Sequence, residues 1–301
     1  MTCAVYCVHD DVDFLAASLR SVADVPRLVF VSRKDWKGNE GDWKQAAKIA
    51  KENGAEVELG DWPDESSHRG HALKAAKKKG FTHALTIDSD EILEPGLLAA
   101  LLKVAENEMA DRVYIEWDTY WKDAEHVVRP REPFTPCIMV DLRRAKHVKV
   151  REYDGGRLLF LNGSHGIVHH LSYAGGDSRI WKKTTTWSHR DEIVPGWWEL
   201  VWKGWDSEPL LRNLHPTHPA NYGFAERIPL PDVLKAVGIE PIHREIEEPS
   251  VKSCSVVIPA YGEQEALDAC LESLAACGEL VKEIVVVDDA SPKRRSRFPR
   301  V

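Results

Sequence analysis

Over residues 3–106, short apolar runs alternate with segments of helical spacing, and this alternation narrows the possible folds more than any other feature. Residues 3–8, 27–32 (RLVFVS), 55–59 and 82–87 have the length and β-branched content of buried strands. Between them, residues 11–22 carry Val12, Leu15, Leu19 and Val22 at helical spacing. Residues 43–52 run into Asn53-Gly54, a helix-ending pair, and residues 67–79 stop at Gly80. Residues 95–106 form a further helical stretch with Pro95 in its first turn. The pattern predicts an α/β fold with a mainly parallel sheet, helices on both faces and right-handed crossovers. Ligands of such sheets collect at the carboxyl ends of the strands.

The pattern changes after Asp111. Residues 113–119, 137–142, 158–161 and 167–171 read as strands separated by Pro- and Gly-bearing loops, and residues 181–186 and 197–202 as short helices. The charged stretch 240–250 reads as a linker. A strand (255–259, SVVIP), a helix (263–277) and a strand (283–288, EIVVVD) then repeat the opening of the chain. The expected organisation is a domain over 1–235, a linker over 236–252 and a partial second α/β unit over 253–301.

The 301 residues are 43% hydrophobic and 29% charged, enough apolar material for a real core. The formal charge of −8 disfavours a protein that tracks nucleic-acid phosphates. No apolar run is long enough to span a membrane, and the N-terminus does not read as a signal peptide, so a cytoplasmic location is expected. The six cysteines form no Cys-x-x-Cys pair and sit mostly in apolar runs, which predicts buried reduced thiols.

Asp88-Ser89-Asp90-Glu91 closes the fourth strand. Two carboxylates at one strand end can share a hard cation, Mg²⁺ or Mn²⁺, completed by substrate phosphates. The alternative is an acidic turn capping the next helix; the position at a strand end favours the metal reading. Residues 82–95 (THALTIDSDEILEP) resemble the Asp-x-Asp strand of GT-A glycosyltransferases, and residues 67–73 (SHRGHAL) the Arg-bearing helix start before it in family 2. Residues 255–263 (SVVIPAYGE) and 283–291 (EIVVVDDAS) are similar to that family's opening strand and acidic second-strand end. The resemblance runs loosely over 1–215 and tightly over 253–291. It implies a GT-A, Rossmann-like mixed sheet followed by the start of a second family-2 domain.

That resemblance implies a nucleotide-sugar donor, a UDP- or GDP-sugar, bound at the first two strand ends. Here the first end carries His9, and the second carries Ser32-Arg33 where the family has its acidic pair. Arg69 at a helix start would take phosphate oxygens, Asp88 would share in binding the donor, and Lys182, with Arg179 and Lys183, would fold over the diphosphate. Asp88, Asp90 and a late His189 would hold the metal. Asp191 and Glu192 are candidates by position for the base that deprotonates the acceptor, with Glu132 and Asp154 behind them. His165, His169 and His170 lie on a β-branched run, where neighbours face opposite ways. The tryptophans at 181, 187, 197, 198, 202 and 205 divide between core and a sugar-stacking platform.

The resulting expectation is metal-dependent sugar transfer to a hydroxyl of a glycan, glycolipid or modified nucleobase, with inversion. A nucleotidyltransferase is weaker, because residues 8–12 lack a glycine-rich loop. A non-catalytic binding module is the other rival. No Gly-x-Gly-x-x-Gly follows a strand, which disfavours a dinucleotide oxidoreductase.

Overall fold

A computed structural model of the chain describes residues 1–35, 38, 40–186, 190–241, 254–262, 264–276 and 281–289. The chain divides into two compact units, residues 1–205 with 209–243, and residues 206–208 with 244–301.

In the first unit β1 (Thr2–Val8), α1 (Leu15–Ser21), β2 (Arg27–Ser32), α2 (Trp43–Glu52), β3 (Glu56–Gly60), α3 (Glu65–Lys78) and β4 (His83–Ile87) follow in the expected alternation. Then come β5 (Glu91–Leu93), α4 (Pro95–Glu106), β6 (Arg112–Ile115), β7 (Trp117–Lys122), β8 (His126–Arg129) and β9 (Cys137–Asp141). The hairpin β10 (Lys146–Lys149)–β11 (Glu152–Asp154) leads to β12 (Leu158–Leu161), β13 (Val168–Ala174), α5 (Asp177–Thr186), β14 (Phe224–Arg227) and α6 (Asp232–Ala236).

A seven-stranded sheet has the order β12-β6-β9-β4-β1-β2-β3. Every pair in it is parallel except those made by β9, which runs antiparallel between β4 and β6. It is the mixed, mainly parallel sheet that the alternation predicts. Helices cover both faces. Leu15 and Leu19 of α1, Ala46 and Ala50 of α2 and Leu97 and Leu101 of α4 pack on one side, and Ala72, Leu73 and Ala76 of α3 on the other. Each fully buried leucine contributes about 1.5–3 kcal/mol. Gly54 ends α2 with φ +72°, the left-handed conformation expected of a residue just past a helix end.

A second, five-stranded sheet (β14-β8-β7-β13-β5) departs from the expected pattern. The stretch expected as one strand over 113–119 splits at Glu116, so that β6 joins the first sheet and β7 the second. Pairings between strands so distant in sequence leave no local signature. α6 stays with the first unit: Leu234 and Val237 pack with Tyr120 and Leu171. Of the cysteines, Cys3 and Cys137 are buried as expected, whereas Cys270 is exposed. No described helix is long and apolar enough to cross a membrane.

The second unit contains β15 (Cys254–Ala260), α7 (Gln264–Ala275) and β16 (Val281–Asp288), two parallel strands joined through a helix in the order of β1, α1 and β2. Because the first unit closes its own core, deleting residues 251–301 is expected to leave it cooperatively folded. Its Tm should move by less than about 3 °C in a circular-dichroism melt. A broad, non-cooperative melt of the truncated chain would show that the second unit completes the first.

Candidate functional site

The carboxyl ends of β1, β2 and β4 lie side by side, since Val8 pairs with Val31 and Tyr6 with Ile87. A cleft of about 500 Å³ opens there. It brings together His9, Ser32, Arg69, Asp88, Asp90 and Lys182, residues separated by up to most of the first unit in sequence.

The acidic turn after β4 is held from below. Ser18 Oγ donates to the Glu91 carbonyl (2.5 Å) and lies 3.1 Å from the Tyr6 hydroxyl. The Asp88 N–H donates to the buried Glu91 carboxylate (3.0 Å). Each aspartate of the pair then meets two cations. Arg69 Nη2 is 2.7 Å from Asp88 Oδ1 and Arg151 Nη1 is 3.4 Å from Asp88 Oδ2. Arg179 Nη2 and Lys183 Nζ are both 3.2 Å from Asp90 Oδ2. Burial alone would raise both carboxyl pKa values. The charges of Arg69 and Arg151 at Asp88, and of Lys183 and Arg179 at Asp90, outweigh it and hold both below the usual carboxylate range.

Arg179, Lys182 and Lys183 stand on one face of α5, at i, i+3 and i+4. Arg179 is buried and forks onto Asp11 (2.7 and 3.1 Å), while its Nη1 donates to the carbonyls of Leu171, Ser172 and Ala174. Lys182 pairs with Asp10 (2.7 Å), and Lys183 donates to Ser172 Oγ (2.6 Å). Near the ends of β1 and β2, His9 Nδ1 is 3.1 Å from the Ser32 carbonyl, and the Ser32 hydroxyl donates to the Lys34 carbonyl (2.7 Å). His68, stacked on Trp62 at 3.9 Å, lines the cleft as a neutral imidazole, because burial lowers its pKa to about 3.

Several expectations change. Asp64 caps α3 by accepting from the Ser67 N–H (2.7 Å), so the helix starts at Glu65 and Arg69 lies in its second turn. Arg69 therefore does not stand at the helix terminus; from the second turn it pairs with Asp88 and lines the cleft. Asp191 and Glu192 sit on an exposed 3₁₀ turn, Asp191 with 86% of its side chain exposed, and neither lines the cleft. Asp154 is exposed on β11. His189 and Trp187 fall outside the described residues. Trp197, Trp202 and Trp205 are core, packed with Trp121 and Tyr173, whereas Trp181 is half exposed against Trp198. His169 and His170 do face opposite ways on β13: His169 meets Tyr120 and Glu94, and His170 turns to Asp90. Arg151 carried no sequence signal, because its partner Asp88 is 63 positions away.

Among the described residues no group of three His, Cys, Asp or Glu forms a self-contained metal site. Mg²⁺ and Mn²⁺ do not need one: one or two carboxylates suffice when substrate phosphates supply further oxygens. Asp88 and Asp90, hard oxygen donors at one strand end, fit that kind of site.

Residues 255–298 match the family model "Glycosyl transferase family 2", in the segment whose SVVIPAYGE and EIVVVDDAS stretches resemble that family. No curated protein sequence matches the chain. Solved structures with similarity include S. aureus TarS 1-349 in complex with UDP-GlcNAc, at 19% identity over 40% of this chain and 35% of that one, TM-score 0.31. TarS 1-349 from S. aureus with UDP is similar at 12% identity over 68% of each chain, TM-score 0.38. HddC from Yersinia pseudotuberculosis complexed with GMP-PN is similar at 13% identity over 59% of this chain and 97% of that one, TM-score 0.34. The chain thus spans 35% of the length of the first of these structures.

Proposed function

We propose that the chain is a nucleotide-sugar-dependent glycosyltransferase that moves a sugar to an acceptor hydroxyl with inversion. The observation that carries this reading is the meeting, at the carboxyl ends of β1, β2 and β4, of an acidic pair with the cationic face of α5. The family-2 match over residues 255–298 supports it.

The cleft residues divide the work. His9 and the Ser32 backbone flank the place for the nucleoside. Lys182, Lys183 and Arg179 also line the cleft, where they would hold the diphosphate and stabilise the charge that builds on it as the glycosidic bond breaks. Asp88 and Asp90 would hold Mn²⁺ or Mg²⁺, which supplies additional positive charge at the departing diphosphate. Arg69 and Arg151 fix Asp88, so its carboxylate needs no reorganisation when the donor arrives.

Calorimetry with Mn²⁺ and a panel of UDP- and GDP-sugars, together with a nucleotide-release assay, tests the reading. Because four cations already face the two carboxylates, Mn²⁺ alone is expected to bind weakly. A matching nucleotide should tighten it by about 10-fold or more, and by linkage Mn²⁺ should tighten the nucleotide equally. A protein that binds no nucleotide sugar, with or without metal, and releases no nucleotide would leave a non-catalytic binding module as the better reading.

A further inference from the structure

Asp90 is approached by a second cluster outside the donor cleft. β13 runs antiparallel to β5, with His170 opposite Glu91 and the Leu171 N–H donating to the Asp90 carbonyl (2.8 Å). This register aims His170 at Asp90, with Nε2 3.9 Å from Oδ1. The His170 ring lies flat on Trp117 (centroids 4.1 Å apart, planes at 19°), and Trp117 in turn meets Phe134, which is 57% exposed. His170 Nδ1 is 3.4 Å from Thr119 Oγ1, and the Thr119 hydroxyl donates to Glu132. A chain Asp90–His170–Thr119–Glu132 therefore joins the acidic pair to a carboxylate on the loop between β8 and β9.

The surroundings of Glu132 differ from those of the other carboxylates near Asp90. Asp88, Asp90, Asp10 and Asp11 each pair with an arginine or lysine, and at Asp88 and Asp90 these charges outweigh burial and hold the carboxyl below its usual range. Glu116 and Asp118 pair with Arg131. Among the described residues, the groups that face Glu132 are the Thr119 and Tyr222 hydroxyls and the Trp117 indole, all neutral. His170, the nearest imidazole, is neutral, since burial lowers its pKa to about 4, and burial raises the Tyr173 and Tyr222 hydroxyls far above neutrality. Burial likewise raises the Glu132 carboxyl, against the pull of these hydrogen bonds. A carboxylate that has no cationic partner among the described residues, is desolvated and is linked to Asp90 through Thr119 and His170 has the properties of a general base.

We propose that Phe134, Trp117, His170 and Glu132 form the acceptor subsite, that it takes a pyranose hydroxyl, and that Glu132 accepts the proton of that hydroxyl. The aromatic face stacks on the sugar ring. The hydroxyl oxygen bonds to the anomeric carbon as its proton passes to Glu132. The bond from the anomeric carbon to the diphosphate oxygen breaks, and its electron pair leaves with the nucleoside diphosphate. Glu132, now a carboxylic acid, returns the proton to water. The proposal rests on the nucleotide-sugar reading above.

The test measures nucleotide release from a UDP- and GDP-sugar panel with methyl pyranosides as probe acceptors, and donor binding by calorimetry. Glu132→Gln is expected to slow release by about 10²–10⁴-fold with donor Kd unchanged. The wild-type rate should rise with pH through a carboxyl value above the ordinary one, and the substitution should remove that limb. Phe134→Ala, at an exposed position, should raise KM for the glycoside with little change in kcat. Wild-type turnover in Glu132→Gln, or an unchanged pH profile, overturns the assignment of the base while the glycosyltransferase reading stands. Donor binding without turnover of any methyl pyranoside overturns the sugar class. Absence of donor binding in the wild type overturns the reading beneath both.

Discussion

Replacing Arg179 by alanine is expected to destabilise the first unit by about 3–5 kcal/mol, the cost of breaking a buried ion pair from one side. The guanidinium joins three elements: it forks onto Asp11 after β1, reaches Asp90 after β4, and satisfies the carbonyls of Leu171, Ser172 and Ala174 around the end of β13. Alanine would leave Asp90, with 7% of its side chain exposed, facing only Lys183 and His170 among the described residues, and would strip three carbonyls of a shared donor. Arg179→Lys should lose less, since it keeps the charge but not the fork. The sign of the pH dependence follows from Asp90, whose carboxyl is held below its unfolded value. The stability it contributes is present above about pH 4 and is lost as pH falls through the lowered folded value. Urea unfolding of wild type and variants at pH 7 reads the effect. A variant within about 1 kcal/mol of wild type would show that the network contributes little to the fold.

Asp90→Asn should leave most of the fold intact, because Arg179 keeps Asp11 and Lys183 keeps Ser172. Nucleotide release should nevertheless fall by about 10²–10³-fold, the usual loss when a preorganised charge-stabilising group is removed. The Mn²⁺ enhancement of nucleotide affinity should disappear with it, whereas nucleotide affinity without metal should hold or rise, since Lys183 and Arg179 lose a competing carboxylate. Release at the wild-type rate would separate Asp90 from the chemistry and leave it as a partner of α5. Loss of release together with a collapsed melt would mean instead that Asp90 acts through the fold, and the calorimetric metal coupling distinguishes the two.

The sequence by itself determined the parts of this protein that depend on local period and punctuation. The runs over residues 3–8, 27–32 and 82–87 are strands because short, nearly continuous apolar runs bury both faces of a mainly parallel sheet. Helix α4 has the predicted bounds because Pro95 starts it and the leucines keep a single apolar stripe. Once the strands are parallel, their carboxyl ends must lie on one edge, and so the meeting of Asp88 and Asp90 with His9 and Ser32 in one cleft was legible. Tertiary structure alone decided which charges face that edge. Arg151 reaches Asp88 from the turn between β10 and β11, and Arg179 reaches Asp11 across 168 positions. Asp191 and Glu192 follow α5 closely in sequence yet turn to the surface on an exposed 3₁₀ turn. Glu132, in a loop with no motif, is drawn toward Asp90 through His170 by the pairing of β13 with β5 and β7. Spacing along a chain fixes the face a residue takes on its own helix or strand; which distant residue meets that face is set by how whole elements pack, and no local pattern encodes it.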